Sequence, residues 1–265
     1  QWRGSYGRHI VGIVDSKGTR VLEIRDLLTD KVEITEELPD TRLPVFVPGG
    51  ELIYVSSGGH VRIYDVGLCQ KKLSVELDVA EALQIRAVQM FSDRSRYFIN
   101  IRRHTATATT TQNFQPVSGQ HVPGLAVGDD LYAFDRATGE LLWKRSIPYR
   151  TVMQFRDCQL PFLVMLSQVN DRTNSALQSL AIEVIDSSTG LTIGYRDHLK
   201  YDQVIEAHYD GEAGRIHLRG QQSDIELRFN PINANPAISM MQGSLDRPAT
   251  TSVRRGSPDP AEPSN

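Results

Sequence analysis

The chain has 265 residues, 40% of them hydrophobic and 23% charged, with a formal net charge of −3, so it can bury a sizeable core in one or two domains. Its near-neutral balance supplies no field that would draw in nucleic acid or an acidic membrane surface. No stretch approaches the roughly 20 apolar residues of a membrane-spanning helix.

In chain order, residues 1–8 begin without Met and lack the apolar run of a secretion signal, which reads as a piece of a longer precursor. Trp2 and Tyr6, spaced among Gly and Arg, are expected to pack on a sheet that precedes them. A strand over His9 to Val14 leads into EIRDLLTDKVEI around Asp26, the first strand, acidic turn and returning strand. Val45 to Val47 and Leu52 to Val55 flank a Pro-Gly-Gly turn and form a hairpin ahead of the second such unit, RIYDVGLCQKKLSV around Asp65. Val79 to Ile85 has brief helix-like character. A further hairpin pairs Ile85 to Phe91 with Tyr97 to Ile101.

The segment from 104 to 126 is rich in Thr, Gln, Pro and Gly without apolar period, and is expected to be a long surface loop. The third unit follows it and is the most complete. Leu131 to Phe134 reads as a strand, Asp135 to Gly139 as a tight turn and Leu141 to Ile147 as the returning strand. Asp135 and Thr138 can accept hydrogen bonds from turn amides, Gly139 can take a positive φ, and Trp143 supplies a large ring to pack between sheets. Thr151 to Phe155 and Phe162 to Leu166 precede the fourth unit, VIDSSTGLTIGY around Asp186. A fifth assembles from Val204 to Tyr209, Arg215 to Leu218 and Asp224 to Phe229 without an acidic turn. Residues 233–265, rich in Pro, Ser and charge, are expected to be a disordered tail.

The spacings between the four aspartates are 39, 70 and 51 residues, and the shortest is near the roughly 40 residues of a propeller blade; the longest contains the insertion. The fold expected over 1–232 is therefore an all-β propeller segment of about four to five four-stranded antiparallel blades, each beginning with its inner hairpin. As part of a larger propeller it would leave an edge for a partner to cover.

The third unit resembles the repeat of the pyrroloquinoline-quinone (PQQ)-like propeller superfamily through Ala133, Asp135, Thr138, Gly139 and Trp143. The fourth unit keeps Asp186, Thr189 and Gly190, with Tyr195 near the tryptophan position, and the unit around Asp65 resembles a WD-type repeat with Tyr64 in place of Trp. Members of the superfamily that are dehydrogenases hold PQQ and calcium with an adjacent pair of cysteines, a stacking Trp and acidic ligands. This chain has Cys69 and Cys158 apart and only Trp2 and Trp143, so no cofactor is expected. The resemblance implies a non-enzymatic scaffold or protein-interaction module of a larger bacterial protein, in the periplasm or cell envelope, bound to a protein partner or to upstream blades. The alternative is a quinoprotein-like enzyme or ligand-binding propeller whose axial site is completed upstream. A third possibility places carbohydrate or peptide on the loop face near Gln112 to Gly124.

Other constellations are weaker. His198, His208 and His217 lie beside Asp197, Asp202 and Asp210, at spacings that match no compact metal motif, and read as solvated positions. Asp135 and Asp186 could divide acid and base roles, but their recurrence marks them as turn formers. Arg86, Arg94, Arg96, Arg102, Arg103 and His104 form a basic strip, read as the solvent face of the strand Tyr97 to Ile101. Cys69 and Cys158 read as small buried thiols, with a single disulfide as the other option. No nucleophile elbow, phosphate loop or dinucleotide fingerprint occurs.

Overall fold

In the computed structural model, residues 2–244 are described except 17, 41, 48, 78–84, 104–113, 118–123, 156–159, 171–177, 201–203, 205, 221–222 and 230–238. The expected helix-like turn, the tip of the insertion, Cys158 and most of the tail lie outside them. The described residues form twenty β-strands arranged as five consecutive antiparallel blades of a propeller. Blade 1 is β1 (Trp2–Tyr6), β2 (His9–Ser16), β3 (Thr19–Asp26) and β4 (Val32–Leu38). Blade 2 is β5 (Val45–Val47), β6 (Glu51–Val55), β7 (His60–Asp65) and β8 (Gln70–Glu76).

Blades 3 and 4 are joined in one eight-stranded sheet. It contains β9 (Ile85–Ser92), β10 (Arg96–Arg103), β11 (Phe114–Pro116), β12 (Gly124–Asp135), β13 (Leu141–Met153), β14 (Phe162–Asn170), β15 (Gln178–Asp186) and β16 (Thr192–Lys200). The join is β13: its first half closes blade 3 against β12, while Thr151 and Val152 pair with Leu166 and Met165 of β14 and open blade 4. Blade 5 is β17 (Glu206–Asp210), β18 (Arg215–Arg219), β19 (Ser223–Arg228) and β20 (Ser239–Ser244).

Two expectations are corrected here. The insertion is not all loop, because β11 extends blade 4 by pairing Pro116 with Ser167, and β12 begins at Gly124. The tail also contributes structure: β20 pairs with β19 along six residues. Neither segment is strongly apolar, so each takes strand geometry from the edge it pairs with rather than from its own pattern.

The core is divided into four layers, one between each pair of successive blades. Val11, Leu22 and Ile24 of blade 1 meet Leu52, Tyr54 and Tyr64 of blade 2. Ile53 and Ile63 on the opposite face of blade 2 meet Tyr97, Ile99, Tyr132 and Phe134. Phe98, Leu131 and Trp143 of blade 3 meet Met165 and Ile185 of blade 4, and Val164, Leu166, Ile182 and Val184 meet Ile216, Leu218, Ile225 and Leu227 of blade 5. Blades 2 to 4 are thus covered on both faces, which explains continuous apolar runs such as Leu52 to Val55. The strand Tyr97 to Ile101 is buried on both faces too, so the basic strip is not its solvent side.

The third and fourth strands of blades 1 to 4 are joined by one repeated device. The aspartate carboxylate accepts amides two or three residues on: Leu28 for Asp26, Leu68 for Asp65, Ala137 and Thr138 for Asp135, Ser188 and Thr189 for Asp186. Four residues after each aspartate the backbone turns left-handed, at Asp30 (φ 54°), Cys69 (φ 50°), Gly139 (φ 77°) and Gly190 (φ 72°). A register shift just before each aspartate accompanies the turn, as a β-bulge would, and sharpens the local twist. Blade 5 carries the same geometry in its first hairpin, where Asp210 accepts the Ala213 amide and Gly214 has φ 62°. The fifth unit therefore has an acidic turn that the alignment on third strands does not reveal.

The turns at Gly139 and Gly190 are also seats for the preceding blade. The Trp143 ring lies so close to Gly190 that a Cβ there would sit 2.7 Å from a ring carbon, and the indole Nε1 donates to the Ser187 carbonyl at 3.0 Å. Trp143 is paired with Ala133, two residues before the aspartate; the equivalent residue in blade 2 is Leu73, paired with Ile63, and it touches Gly139 in the same way. In blade 4 this position is Gly194, paired with Val184, and not Tyr195. Tyr195 is one residue on and faces the opposite side, because strand side chains alternate. Tyr64 likewise is not a stand-in for the tryptophan: it is buried against blade 1. Tyr6 packs over Gly50 and Gly67 of blade 2 rather than on a preceding sheet.

Gly190→Ala is expected to cost about 2–4 kcal/mol, since it meets the fixed indole as well as a left-handed backbone, whereas Gly139→Ala meets a mobile leucine methyl and costs about 1–2 kcal/mol. Urea unfolding of the two variants checks that order. Amide hydrogen bonds hold the Asp26, Asp135 and Asp210 carboxyls below the usual carboxylate range, Leu28, Thr138 and Ala213 being the foremost donors. Burial alone would raise Asp186, but bonds from Ser188 and Thr189 bring it below that range. A carboxyl lowered by folding stabilises the protein above its unfolded pKa, and that contribution disappears as pH falls through the folded value. Replacing all four by Asn, which keeps an acceptor oxygen but does not titrate, is expected to flatten the loss of stability below about pH 4, measured as urea midpoints against pH.

Candidate functional site

The residues singled out by the repeat lie at two successive seams, the Asp135 to Gly139 turn between blades 2 and 3 and Trp143 with the Asp186 to Gly190 turn between blades 3 and 4. Ala133 is buried beneath Trp143; Asp135, Thr138 and Gly139 form one turn; Asp186, Thr189 and Gly190 form the next. The structure brings Trp143 to Gly190 but does not join Asp135 to Asp186 as a carboxylate pair, because each is saturated by amides of its own turn. That removes the acid and base assignment.

The seams are instead tied by buried or half-buried carboxylates that sequence reasoning missed. Glu36 of blade 1 meets Lys71 at 3.0 Å and Arg62 at 3.3 Å in blade 2. Glu51 of blade 2 accepts from Arg136 at 2.7 Å and from the Tyr97 hydroxyl at 2.9 Å, both in blade 3. Glu183 of blade 4 accepts from Arg145 of blade 3 at 2.5 Å and meets Arg150 at 2.5 Å on its other oxygen. Burial pushes the Arg150 guanidinium below its ordinary value, with Glu183 pulling the other way. Arg145 also donates to the Gly190 carbonyl at 3.0 Å, so the ion cluster and the Trp143 seat share one turn. One signal was visible: Glu183 is a lone charge inside the apolar run Leu180 to Ile185.

A cleft of about 550 Å³ opens between the first hairpins of blades 3 and 4, with Phe91, Phe98, Phe155 and Phe162 in its walls and Asp93 and Arg94 at its edge. A second, of about 340 Å³, lies between blades 2 and 3 beside Val45, Ile53, Arg42 and Arg86. The first has aromatic walls under a polar rim of Ser92, Asp93, Arg94 and Gln154, and the second is mostly apolar.

The basic strip is dispersed by its partners. Arg96 bonds Asp93 and Ser187, Arg103 pairs with Asp130, and Arg102 lies 4.3 Å from the Tyr149 ring centre. The histidines do not converge: His198 is exposed beside Asp197, while His208 and His217 are opposed on β17 and β18, His217 facing Glu226 at 3.5 Å. Among the described residues, no group of three or more His, Cys, Asp or Glu is placed to hold a metal ion. Cys69 is a half-buried free thiol whose pKa burial raises. The described residues do not fit a quinone with its calcium, since the Trp143 ring is covered by Gly190 and its N–H is already bonded. No helix among them is long and apolar enough to cross a membrane.

Glu183→Ala leaves two arginines clustered without their counter-charge and is expected to cost about 3–5 kcal/mol. Arg145→Ala, which leaves the Glu183–Arg150 pair, is expected to cost less. Chemical denaturation of both variants tests that ranking.

No family model matches the chain, and no curated protein matches it. Solved structures similar to it include a europium-containing methanol dehydrogenase, at 9% identity over 92% of this chain and 67% of that one, with a TM-score of 0.35. Hsv2p of Kluyveromyces lactis is similar at 13% identity over 86% and 72%, with a TM-score of 0.27, and BamB from Moraxella catarrhalis at 11% over 92% and 87%, with a TM-score of 0.25.

Proposed function

We propose that this chain is a non-enzymatic propeller module that serves as a protein-interaction scaffold within a larger bacterial protein of the periplasm or cell envelope. The observation that carries this reading is the chemistry of the four acidic turns. Their carboxylates are spent on holding backbone amides, while the same turns and the strands leaving them present Leu28, Leu68, Leu141 and Leu191 to solvent, each between 52% and 78% exposed. Single exposed leucines are ordinary. Their recurrence at the acidic turns of four successive blades puts an exposed apolar side chain at the corresponding end of each blade, which suits a protein surface.

Leu28→Ser, Leu68→Ser, Leu141→Ser and Leu191→Ser combined are expected to change stability little, about 0.5 kcal/mol per site at most, and to abolish cross-linking of the intact protein to its partner in the native cell. Cross-linking that survives the four changes sinks the rim as the contact. The intact protein isolated with stoichiometric quinone absorbance, or with calcium by elemental analysis, would instead favour a cofactor-binding propeller.

A further inference from the structure

The first hairpin of blade 4 is short. β13 and β14 pair at Thr151 with Leu166 and at Val152 with Met165, and the strands part toward Phe155 and Phe162. The cleft of about 550 Å³ is lined by both parted ends and by the first hairpin of blade 3, and its size falls within the roughly 300–1,000 Å³ of ligand sites. Its rings are held from behind. Phe98 stacks on Phe91 with ring centres 4.9 Å apart and lies 6.0 Å from Trp143, itself fixed on Gly190. Phe155 leans on Tyr209 at 6.0 Å, and Phe162 meets Phe229 edge-on at 5.0 Å. A lining braced in this way loses little freedom when a further ring enters, and it offers that ring both faces and edges.

Between blades 1 and 2 the first hairpin supplies such a ring itself. One backbone bond marks the equivalent positions: the amide after each turn aspartate, at Leu27, Val66, Arg136 and Ser187, donates to the carbonyl of Arg8, Gly50, Ser95 and Pro161 in the first hairpin of the same blade. Tyr6, two residues before Arg8, lays its ring over Gly50 and Gly67 of blade 2. Two residues before Ser95 stands Asp93, at the edge of the cleft. Blade 3 thus brings a carboxylate to the position from which blade 1 brings an aromatic ring.

That carboxylate is turned back into its own hairpin. It accepts from the amides of Ser95 at 2.8 Å and Arg96 at 2.7 Å, and pairs with the Arg96 guanidinium at 3.0 Å. Arg96 also donates to Ser187 of blade 4, and Arg136 to the Asp93 carbonyl, so the hairpin tip is fixed. Arg94, next to it, is exposed and lines the cleft. Among the described residues at the mouth, a cation therefore stands beside an acid that is already engaged.

We propose that this cleft seats a phenylalanine or tyrosine side chain of the protein partner, the counterpart of Tyr6 in the seam of blades 1 and 2, with a neighbouring aspartate or glutamate of that partner against Arg94. This rests on the scaffold reading and names the chemistry of its partner. The bonds from Arg136 and Ser187 put the cleft at the end of the blades that carries the acidic turns and their exposed leucines, so both features belong to one end.

Methionine-methyl NMR of the 265-residue protein, titrated with the peptide acetyl-Gly-Glu-Phe-Gly-amide, tests the site. Met153 lines the cleft, whereas Met90 lies in the layer between blades 2 and 3; Met153→Leu assigns the first signal. The Met153 methyl should move saturably under the ring current of the bound phenylalanine while the Met90 methyl stays. Leucine in place of phenylalanine should remove the movement. Glutamine in place of glutamate should weaken binding about threefold, as loss of an exposed ion pair does, and Arg94→Gln should erase that difference while keeping the response to the ring. A Met153 signal that stays still, or that moves equally with the leucine peptide, overturns the site. Equal binding of the glutamate and glutamine peptides overturns the part given to Arg94. Cross-linking of the four-leucine variant decides the scaffold reading separately: cross-linking lost with the leucines, together with no response to the peptide, overturns this inference alone.

Discussion

The contact on which this architecture turns is the seating of one blade's fourth strand on the left-handed residue of the next blade's acidic turn. Trp143 on Gly190 is the fullest instance and Leu73 on Gly139 a smaller one. The seat needs several things together: an aspartate to hold the turn amides, a residue that tolerates positive φ, and little or no side chain where the neighbour arrives. Glycine meets the last two, which is why it stands at the two seats that receive a large side chain, whereas Asp30 and Cys69 occupy the equivalent left-handed position elsewhere.

Charge follows the same geometry. Once the apolar layers bring neighbouring blades together, Glu36, Glu51 and Glu183 lie where a partner from the adjacent blade can reach them, and each finds an arginine or lysine there. Buried ion pairs of this kind add little net stability over apolar packing, because desolvation offsets attraction. They do penalise a blade that slides or rotates, since a misplaced neighbour would leave a charge unpaired. The aspartates of the turns and the glutamates of the seams are therefore both structural, and what the turns leave exposed is apolar: Leu28, Leu68, Leu141 and Leu191.

Much of the local structure was legible in the residues. The Asp135 to Gly139 turn, the hairpin of β5 and β6 and the alternation in the strands after them require only near neighbours. Other features depended on register. Gly194, not Tyr195, occupies the tryptophan position: it pairs with Val184 two residues before Asp186 as Trp143 pairs with Ala133 before Asp135, and a displacement of one sends a side chain to the other face. The acidic turn at Asp210 escaped notice because it joins first and second strands instead of third and fourth. Tyr6, near the start of the chain, closes over two glycines of blade 2 that are remote in sequence.

By itself the amino-acid sequence determined that this is an all-β chain of repeated acid-turn hairpins, since aspartate, glycine and alternating apolar residues act over distances of a few residues. The tertiary structure alone decided which side chain fills each seat, that β13 runs on from blade 3 into blade 4, and that β11 and β20 become strands. Those outcomes depend on pairing and packing between segments far apart in the chain, where the energy of a residue is set by the neighbour it meets and not by its own propensity.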